Sequence, residues 1–190
     1  MTDPRRLLVV CTANLCRSPV AEALLTRRLA DLVDVDGRTW TVSSAGTDRF
    51  QGLAEPDTVA AAAALGLDIS SHASRQLSGD DLAAADLILT MTRSHVRSVV
   101  AIDQSAWPRT FTLKELVRRL QTPAQPGDGF AGWLASATDG RRAADMLAPS
   151  EEDDVLDPYR RGRPANIAMV AELDWLIAEL LSWGPWERAN

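Results

Sequence analysis

The stretch VVCTANLCRSP, residues 9–19, ends an apolar run on a cysteine, spends five residues reaching an arginine, and continues into Ser18 and Pro19. Before it, RRLLVVC (5–11) has strand length and little polar interruption, as a strand buried on both faces does. After it, PVAEALLTRRLADLV (19 to about 33) sets Val20, Ala23, Leu24 and Ala30 at helical spacing. Pro19 in the first turn, with Ser18 as N-cap, marks the start of that helix. The stretch therefore reads as a buried strand that delivers a thiol to the N-terminus of a helix.

The alternation repeats downstream. TWTVSSAG (39–46) reads as a second strand closing on glycine, and DTVAAAAALGL (57–67) as an alanine-rich helix stopped by Gly66. ADLILTMT (85–92) is a third strand followed by the helical SHVRSVVAI; RTFTL (109–113) is a fourth, followed by KELVRRL. A last long helix, 164 to about 183, carries Ile167, Val170, Leu173, Leu176, Ile177 and Leu180. Strands alternating with helices predict an α/β fold with a parallel sheet covered on both faces. In such sheets ligands sit beyond the carboxyl ends of the strands, which is where residues 11–18 lie. Residues 122–150, rich in Pro, Gly, Asp and Ala, break the rhythm. They read as an insertion with one or two short helices, tethered to a single domain spanning 1–190.

The bulk numbers narrow the function. With 190 residues, 46% hydrophobic and 24% charged, the composition is that of a globular protein able to bury a sizeable core. A net charge of −6 argues against a broad nucleic-acid or anionic-membrane surface, and leaves room for a small local anion site. Two cysteines make no extracellular disulfide framework, no signal-peptide pattern opens the chain, and no apolar run reaches membrane-spanning length. The expectation is a cytoplasmic protein with reduced thiols and no membrane insertion. Cys11 and Cys16, with only His72 and His95 elsewhere, are a poor zinc set, so no metal is expected. Cys16 is either loop packing or a transient disulfide partner that shields Cys11 from over-oxidation.

The chemistry follows from the junction. A strand-to-helix turn aims backbone N–H groups, here from Thr12 to Cys16, at one spot where the helix dipole adds positive charge. Arg17 adds a planar fork that holds two oxygens of a tetrahedral anion. The Cys11 sulfur then lies beneath the central atom, and the same donors favour its thiolate. A thiolate under an anion cradle is what nucleophilic attack on a phosphate ester requires. Ser18 is placed to donate to that sulfur. The leaving group needs an acid. In SEEDDVLDPYRRG (150–162), Glu151, Glu152, Asp153 and Asp154 read as a solvated charge run. Asp157 differs, because Pro158 holds it extended and Tyr159 can face a substrate ring.

VVCTANLCRSPVAEALL and the distant DPY resemble the low-molecular-weight protein tyrosine phosphatases, as do SSAGT (43–47), GLDISSHASRQL (66–77) and ADLILTMTRSH (85–95). The resemblance implies a four-stranded parallel sheet flanked by helices, with the phosphate loop between the first strand and first helix. It also implies a metal-free, cofactor-free two-step reaction on phosphotyrosine in protein. Cys11 would attack phosphorus, while Arg17 and the loop of Thr12, Ala13, Asn14, Leu15 and Cys16 hold the oxygens. Asp157 would act first as acid and then as base. The resemblance further makes Asn14 the strained loop residue, Ser18 the thiolate partner, and Ser43 and His72 braces of the loop. Tyr159 and Phe50 become the two rim aromatics. His95 receives no role.

The chain departs from the family at Ala13, where glycine is usual and a negative φ is required for alanine to be harmless. It departs again where a single Tyr159 is followed by Arg160 and Arg161, and in the insertion, which could overhang the cleft. Three other activities share the loop. Arsenate reduction would need a small thiol, since the additional relay cysteines are missing. Protein arginine phosphatases carry threonine at the position of Leu15, and a phosphorylated small metabolite is a third substrate class. A pseudo-enzyme that binds phosphotyrosine without turnover is the non-enzymatic reading.

Overall fold

The two-residue period of the first strand feeds two separate cores. In the computed structural model, which describes residues 3–120 and 129–189, β1 is Arg5–Cys11. Its Leu7, Val9 and Cys11 enter one apolar cluster, and its Leu8 and Val10 enter another on the opposite face. The chain continues through α1 (Arg17–Leu29), β2 (Leu32–Asp34), β3 (Trp40–Gly46), α2 (Pro56–Ala63), α3 (Gly79–Ala84) and β4 (Leu87–Thr90). Then come α4 (Arg93–Ile102), β5 (Thr110–Thr112), α5 (Leu113–Arg119), α6 (Gly129–Thr138), α7 (Gly162–Trp183) and β6 (Trp186–Arg188).

Strands β1, β3, β4 and β5 form a parallel four-stranded sheet in the order β3-β1-β4-β5. Side chains of α1, α5 and α7 (Leu24, Leu116, Leu173) cover one face, and Leu82 of α3 and Val99 of α4 cover the other. This is the α/β arrangement expected from the sequence. No helix among the described residues is long and apolar enough to cross a membrane.

Local signals set several boundaries. The α2 helix starts at Pro56 under a Glu55 cap, and Gly66 takes φ +70 just beyond it, where Leu67 N–H reaches back to Ala62 O. The unforeseen α3 is opened by a reciprocal pair, Ser78 and Asp81, each bonding the other's backbone. The first helix is shorter than its apolar pattern suggested. It ends at Leu29, and Leu32–Asp34 instead pair antiparallel with β6 from the far end of the chain. A few apolar residues fit either period, so a long-range partner decided this segment.

The insertion departs most from the tethered segment expected of its sequence. Residues 122–128 lie outside the described residues; from Gly129 on, the segment packs into the main core instead of hanging from it. Phe130, Trp133 and Ala137 on α6 are buried. Trp40, Phe130, Trp133 and Trp186 form one aromatic cluster with ring centroids 4.9 to 6.0 Å apart. Arg5 lies 4.4 Å over the Phe130 ring while pairing with Asp34, Asp36 and Asp86. These contacts sit at the N-terminal ends of β1 and β3, the end of the sheet opposite the Cys11 loop, so α6 does not overhang the cleft. Arg141 then clamps the segment to the domain: buried beside Glu115 at 2.7 Å, it is stacked between Trp107 and Phe111.

Trp133→Ala should therefore cost about 3–5 kcal/mol, the range for deleting a buried tryptophan. Urea unfolding followed by circular dichroism checks this; a merely tethered helix would move the midpoint by less than about 0.5 kcal/mol.

Candidate active site

Between the end of β1 at Cys11 and the start of α1 at Arg17, the chain closes a tight loop. The loop carbonyls face outward to protein donors: Thr47 N–H bonds Cys11 O, Asp48 N–H bonds Thr12 O, and Glu55 N–H bonds Leu15 O. Among the described residues, the N–H groups of residues 12–16 have no protein acceptor. The peptide dipoles are thus sorted, with acceptors satisfied outside and donors left turned inward, which is the polarity an anion needs.

One residue makes the turn possible. Asn14 takes φ +56, and Ala13 keeps a negative φ, so alanine there is unstrained. The Asn14 side chain is saturated. Its Nδ2 donates to Ser18 Oγ at 2.9 Å and Ser44 Oγ at 2.8 Å, and its Oδ1 accepts from Arg75 N at 3.0 Å. His72 Nε2 lies 3.1 Å from Asn14 O and 3.2 Å from its Oδ1, and Ser44 in turn donates to Glu22 at 2.5 Å. The bracing serine is therefore Ser44 and not Ser43, which is exposed. Inward and outward residues alternate along β3, and a one-position slip puts the hydroxyl on the wrong face. Gly46 lets the loop lie against β3: a Cβ there would stand 2.6 Å from Thr12 O and 3.0 Å from the Ala13 carbonyl carbon.

Cys11 Sγ is 2.9 Å from Ser18 Oγ. Ser18 is not the N-cap, because α1 already begins at Arg17 and the cap position, Cys16, makes no side-chain bond. The hydroxyl oxygen instead accepts a hydrogen bond from Asn14 Nδ2 and faces the sulfur. Both cysteines are free thiols. Burial, only partly offset by a hydrogen bond with Thr58, pushes the Cys16 thiol up to about 11, which leaves it protonated and unreactive near neutrality.

Arg17 is buried, and its guanidinium reaches Asp157 at 2.6 Å, Val155 O at 3.2 Å and Thr12 Oγ1 at 3.2 Å, while its Nε has no partner. The segment carrying Asp157 is held from below. Val155 N–H bonds Met91 O, Arg93 N–H bonds the Asp154 carboxylate, and fully buried Asp153 takes Arg93 at 2.7 Å and Arg118 at 2.6 Å. Asp153 and Asp154 are thus anchors, not members of a solvated run. Burial alone would raise the Asp153 carboxyl, but the Arg118 and Arg93 hydrogen bonds and charges outweigh it and hold it below the ordinary carboxylate range. Beyond the anchor, Arg161 N–H bonds Pro158 O across a turn with Arg160 at φ +59.

His95 is the residue that sequence reasoning passed over. It is buried on the first turn of α4, with Nε2 2.9 Å from Thr12 Oγ1 and Nδ1 2.8 Å from Thr92 Oγ1. Burial, and after it the Arg17 charge, pushes the imidazole down to about 3. A neutral ring joins one hydroxyl through each nitrogen and so fixes the Thr12 side chain beside Arg17. Its position just past the carboxyl end of β4, the neighbour of β1, was the available signal.

Cys11, Thr12, Ala13, Leu15, Cys16, Arg17, Phe50, Asp157 and Tyr159 line one cavity of about 170 Å³. Phe50 and Tyr159 stand partly exposed at its mouth. Asn14, Ser18 and His72 lie behind the loop. A tetrahedral oxyanion seated on the N–H groups would meet the sulfur on one side and a carboxyl on the other.

A parallel α/β sheet carrying a thiol in a loop of unpaired N–H groups at a helix N-terminus is the arrangement of cysteine-based phosphatases. A sequence model described as low molecular weight phosphotyrosine protein phosphatase matches residues 6–124. The probable low molecular weight protein-tyrosine-phosphatase EpsP of Ralstonia nicotianae is 35% identical over 158 residues, spanning 83% of this chain and 80% of that protein. A low molecular weight protein tyrosine phosphatase from T. tengcongensis superposes with a TM-score of 0.68 at 30% identity, covering 94% of this chain and 98% of that one. The YwlE arginine phosphatase of Geobacillus stearothermophilus gives 0.67 at 28% identity, covering 94% and 92%. The chain belongs to the low molecular weight phosphotyrosine protein phosphatase family.

His95 makes stability pH-dependent in a stated direction. Its folded pKa of about 3 lies below the unfolded value near 6.5, so the unfolded chain binds more protons as pH falls. The contribution is complete above the unfolded value and is lost as pH drops from there toward 3, at up to about 1.4 kcal/mol per pH unit. Urea midpoints between pH 7 and 4.5 should fall steeply for the wild type and more shallowly for His95→Gln.

Proposed function

We propose that this phosphatase hydrolyses phosphotyrosine in proteins through a cysteinyl-phosphate. The observation that carries the reading is the convergence of Cys11, the unpaired loop N–H groups, Arg17 and Asp157 on one aromatic-rimmed cavity. Among these residues Arg17, 5% exposed in its side chain, now has an anionic partner in Asp157. An incoming phosphate dianion offers Arg17 a second anion, with the orphaned Nε and the loop N–H groups as further donors. Exchanging Asp157 for phosphate frees the carboxyl to take up a proton and turn toward the leaving oxygen.

In the first step the Cys11 thiolate forms the S–P bond as the P–O bond to the phenol breaks, and Asp157 gives its proton to the departing oxygen. In the second, Asp157 as carboxylate takes a proton from water, the water oxygen bonds phosphorus, and the S–P bond breaks to release inorganic phosphate and thiolate. Ser18, 2.9 Å from the sulfur, stabilises the thiolate as nucleophile and as leaving group. Asn14, Ser44 and His72 keep the donors converged, so no reorganisation is needed during reaction. The apolar Leu15 wall and the faces of Phe50 and Tyr159 suit a phenyl ring better than a guanidinium. The reduced thiols fit a cytoplasmic setting.

Hydrolysis of p-nitrophenyl phosphate in the presence of a chelator tests the chemistry. Wild type should turn over, and Cys11→Ser should not. Asp157→Asn should lose about 10²-fold or more in kcat on phenyl phosphate and less on p-nitrophenyl phosphate, whose leaving group needs the proton less. Phosphotyrosine peptides should exceed phosphoarginine peptides in kcat/KM, and Leu15→Thr should narrow that gap. Folded wild type without turnover but with tight phosphopeptide binding would replace this reading with the pseudo-enzyme one.

A further inference from the structure

The arginines of this acidic chain are mostly spoken for. Arg5, Arg17, Arg28, Arg93, Arg118 and Arg141 pair with carboxylates, and Arg27, Arg38 and Arg97 bond backbone carbonyls. Apart from Arg6 and Arg188, the described arginines without a side-chain hydrogen bond or ion pair are Arg49, Arg160, Arg161 and Arg163. All four are exposed; Arg49 and Arg160 adjoin the cavity-lining Phe50 and Tyr159, and Arg161 and Arg163 follow at the N-terminal end of α7.

Arg49 precedes Phe50, and with it lines a second depression, of about 390 Å³, that continues from the rim toward Ser74 and Arg75. Arg160 follows Tyr159 and lies 5.2 Å over its ring, a cation already resting on the rim aromatic. Arg161 shares a depression with Asp157 and Pro158 on the other side of the mouth. The carboxylates near these arginines are Asp48, exposed beside Arg49, Asp157, half exposed but paired with Arg17, and Glu172, paired with Lys114.

A chain with net charge −6 thus leaves Arg49, Arg160 and Arg161 uncommitted beside one cleft. Unpaired arginines at the surface are free to meet carboxylates without first breaking an existing bond. Their summed field also steers anionic partners toward the mouth. We propose that the rim formed by Arg49, Arg160 and Arg161 selects phosphotyrosines flanked on both sides by acidic residues. Arg49 would serve one flank of the peptide, and Arg160 and Arg161 the other. The selection rests on the proposed phosphotyrosine activity and adds to it a preference the catalytic loop cannot express, since the loop contacts only the phosphate and the ring.

The test compares two phosphotyrosine peptides of equal length, one with Glu at the flanking positions and one with Gln. At low ionic strength wild type should show about five- to tenfold higher kcat/KM on the Glu peptide, mostly through KM, and the ratio should shrink as salt rises. Arg49→Glu with Arg161→Glu should invert or abolish the preference while p-nitrophenyl phosphate turnover stays within twofold of wild type. That small substrate has no flanks, so it separates the two ideas. If it is not hydrolysed, the phosphatase reading fails; if it is hydrolysed and the two peptides are turned over equally, the rim selection is overturned. A preference that survives when Arg49, Arg160 and Arg161 are all changed to Glu also overturns it, because the selecting charge would then lie elsewhere.

Discussion

The backbone N–H groups of residues 12–16, turned inward without a protein acceptor, are the constraint around which the site is built. The surroundings hold the loop in that shape. Asn14 supplies the left-handed residue and spends its amide on Ser18, Ser44 and Arg75. Gly46 lets the loop approach β3. The loop carbonyls are tied outside by Thr47, Asp48 and Glu55. The result is a stiff positive concavity whose floor is the Cys11 sulfur.

Arg17 links that concavity to the rest of the molecule. It touches Thr12, which is fixed by His95 on α4, and it touches Val155 and Asp157 on the segment entering α7. That segment depends on buried Asp153 and its two arginines from α4 and α5. The Cys11 loop and Asp157, far apart in sequence, are thereby both referenced to α4. Charge inside this network is balanced locally, and the uncommitted Arg49, Arg160 and Arg161 lie outside it.

The remote insertion has a separate purpose in the architecture. Its α6 helix completes an aromatic cluster under the N-terminal ends of β1 and β3, away from the chemistry. Through Arg141 and Glu115 it also grips β5 and α5. It therefore stabilises the end of the sheet opposite the Cys11 loop.

The sequence by itself determined what local chemistry can write. The apolar runs, Pro19 and Gly66 marked the principal strands and helices, and the spacing from Cys11 to Arg17 marked the loop between β1 and α1. Asp157 stood out through Pro158 and Tyr159. What it could not show were contacts whose partners are distant. Leu32–Asp34 became a strand only because Trp186–Arg188 lies beside it. Asp153 looked like its solvated neighbours until Arg93 and Arg118 closed on it. Ser44 replaced Ser43 because the strand's pleat, and not its composition, chooses which hydroxyl faces Asn14. His95 acquired its place because β4 pairs with β1 and brings the start of α4 to the loop. A periodic pattern is a property of neighbouring residues, whereas register and charge pairing belong to the assembled sheet.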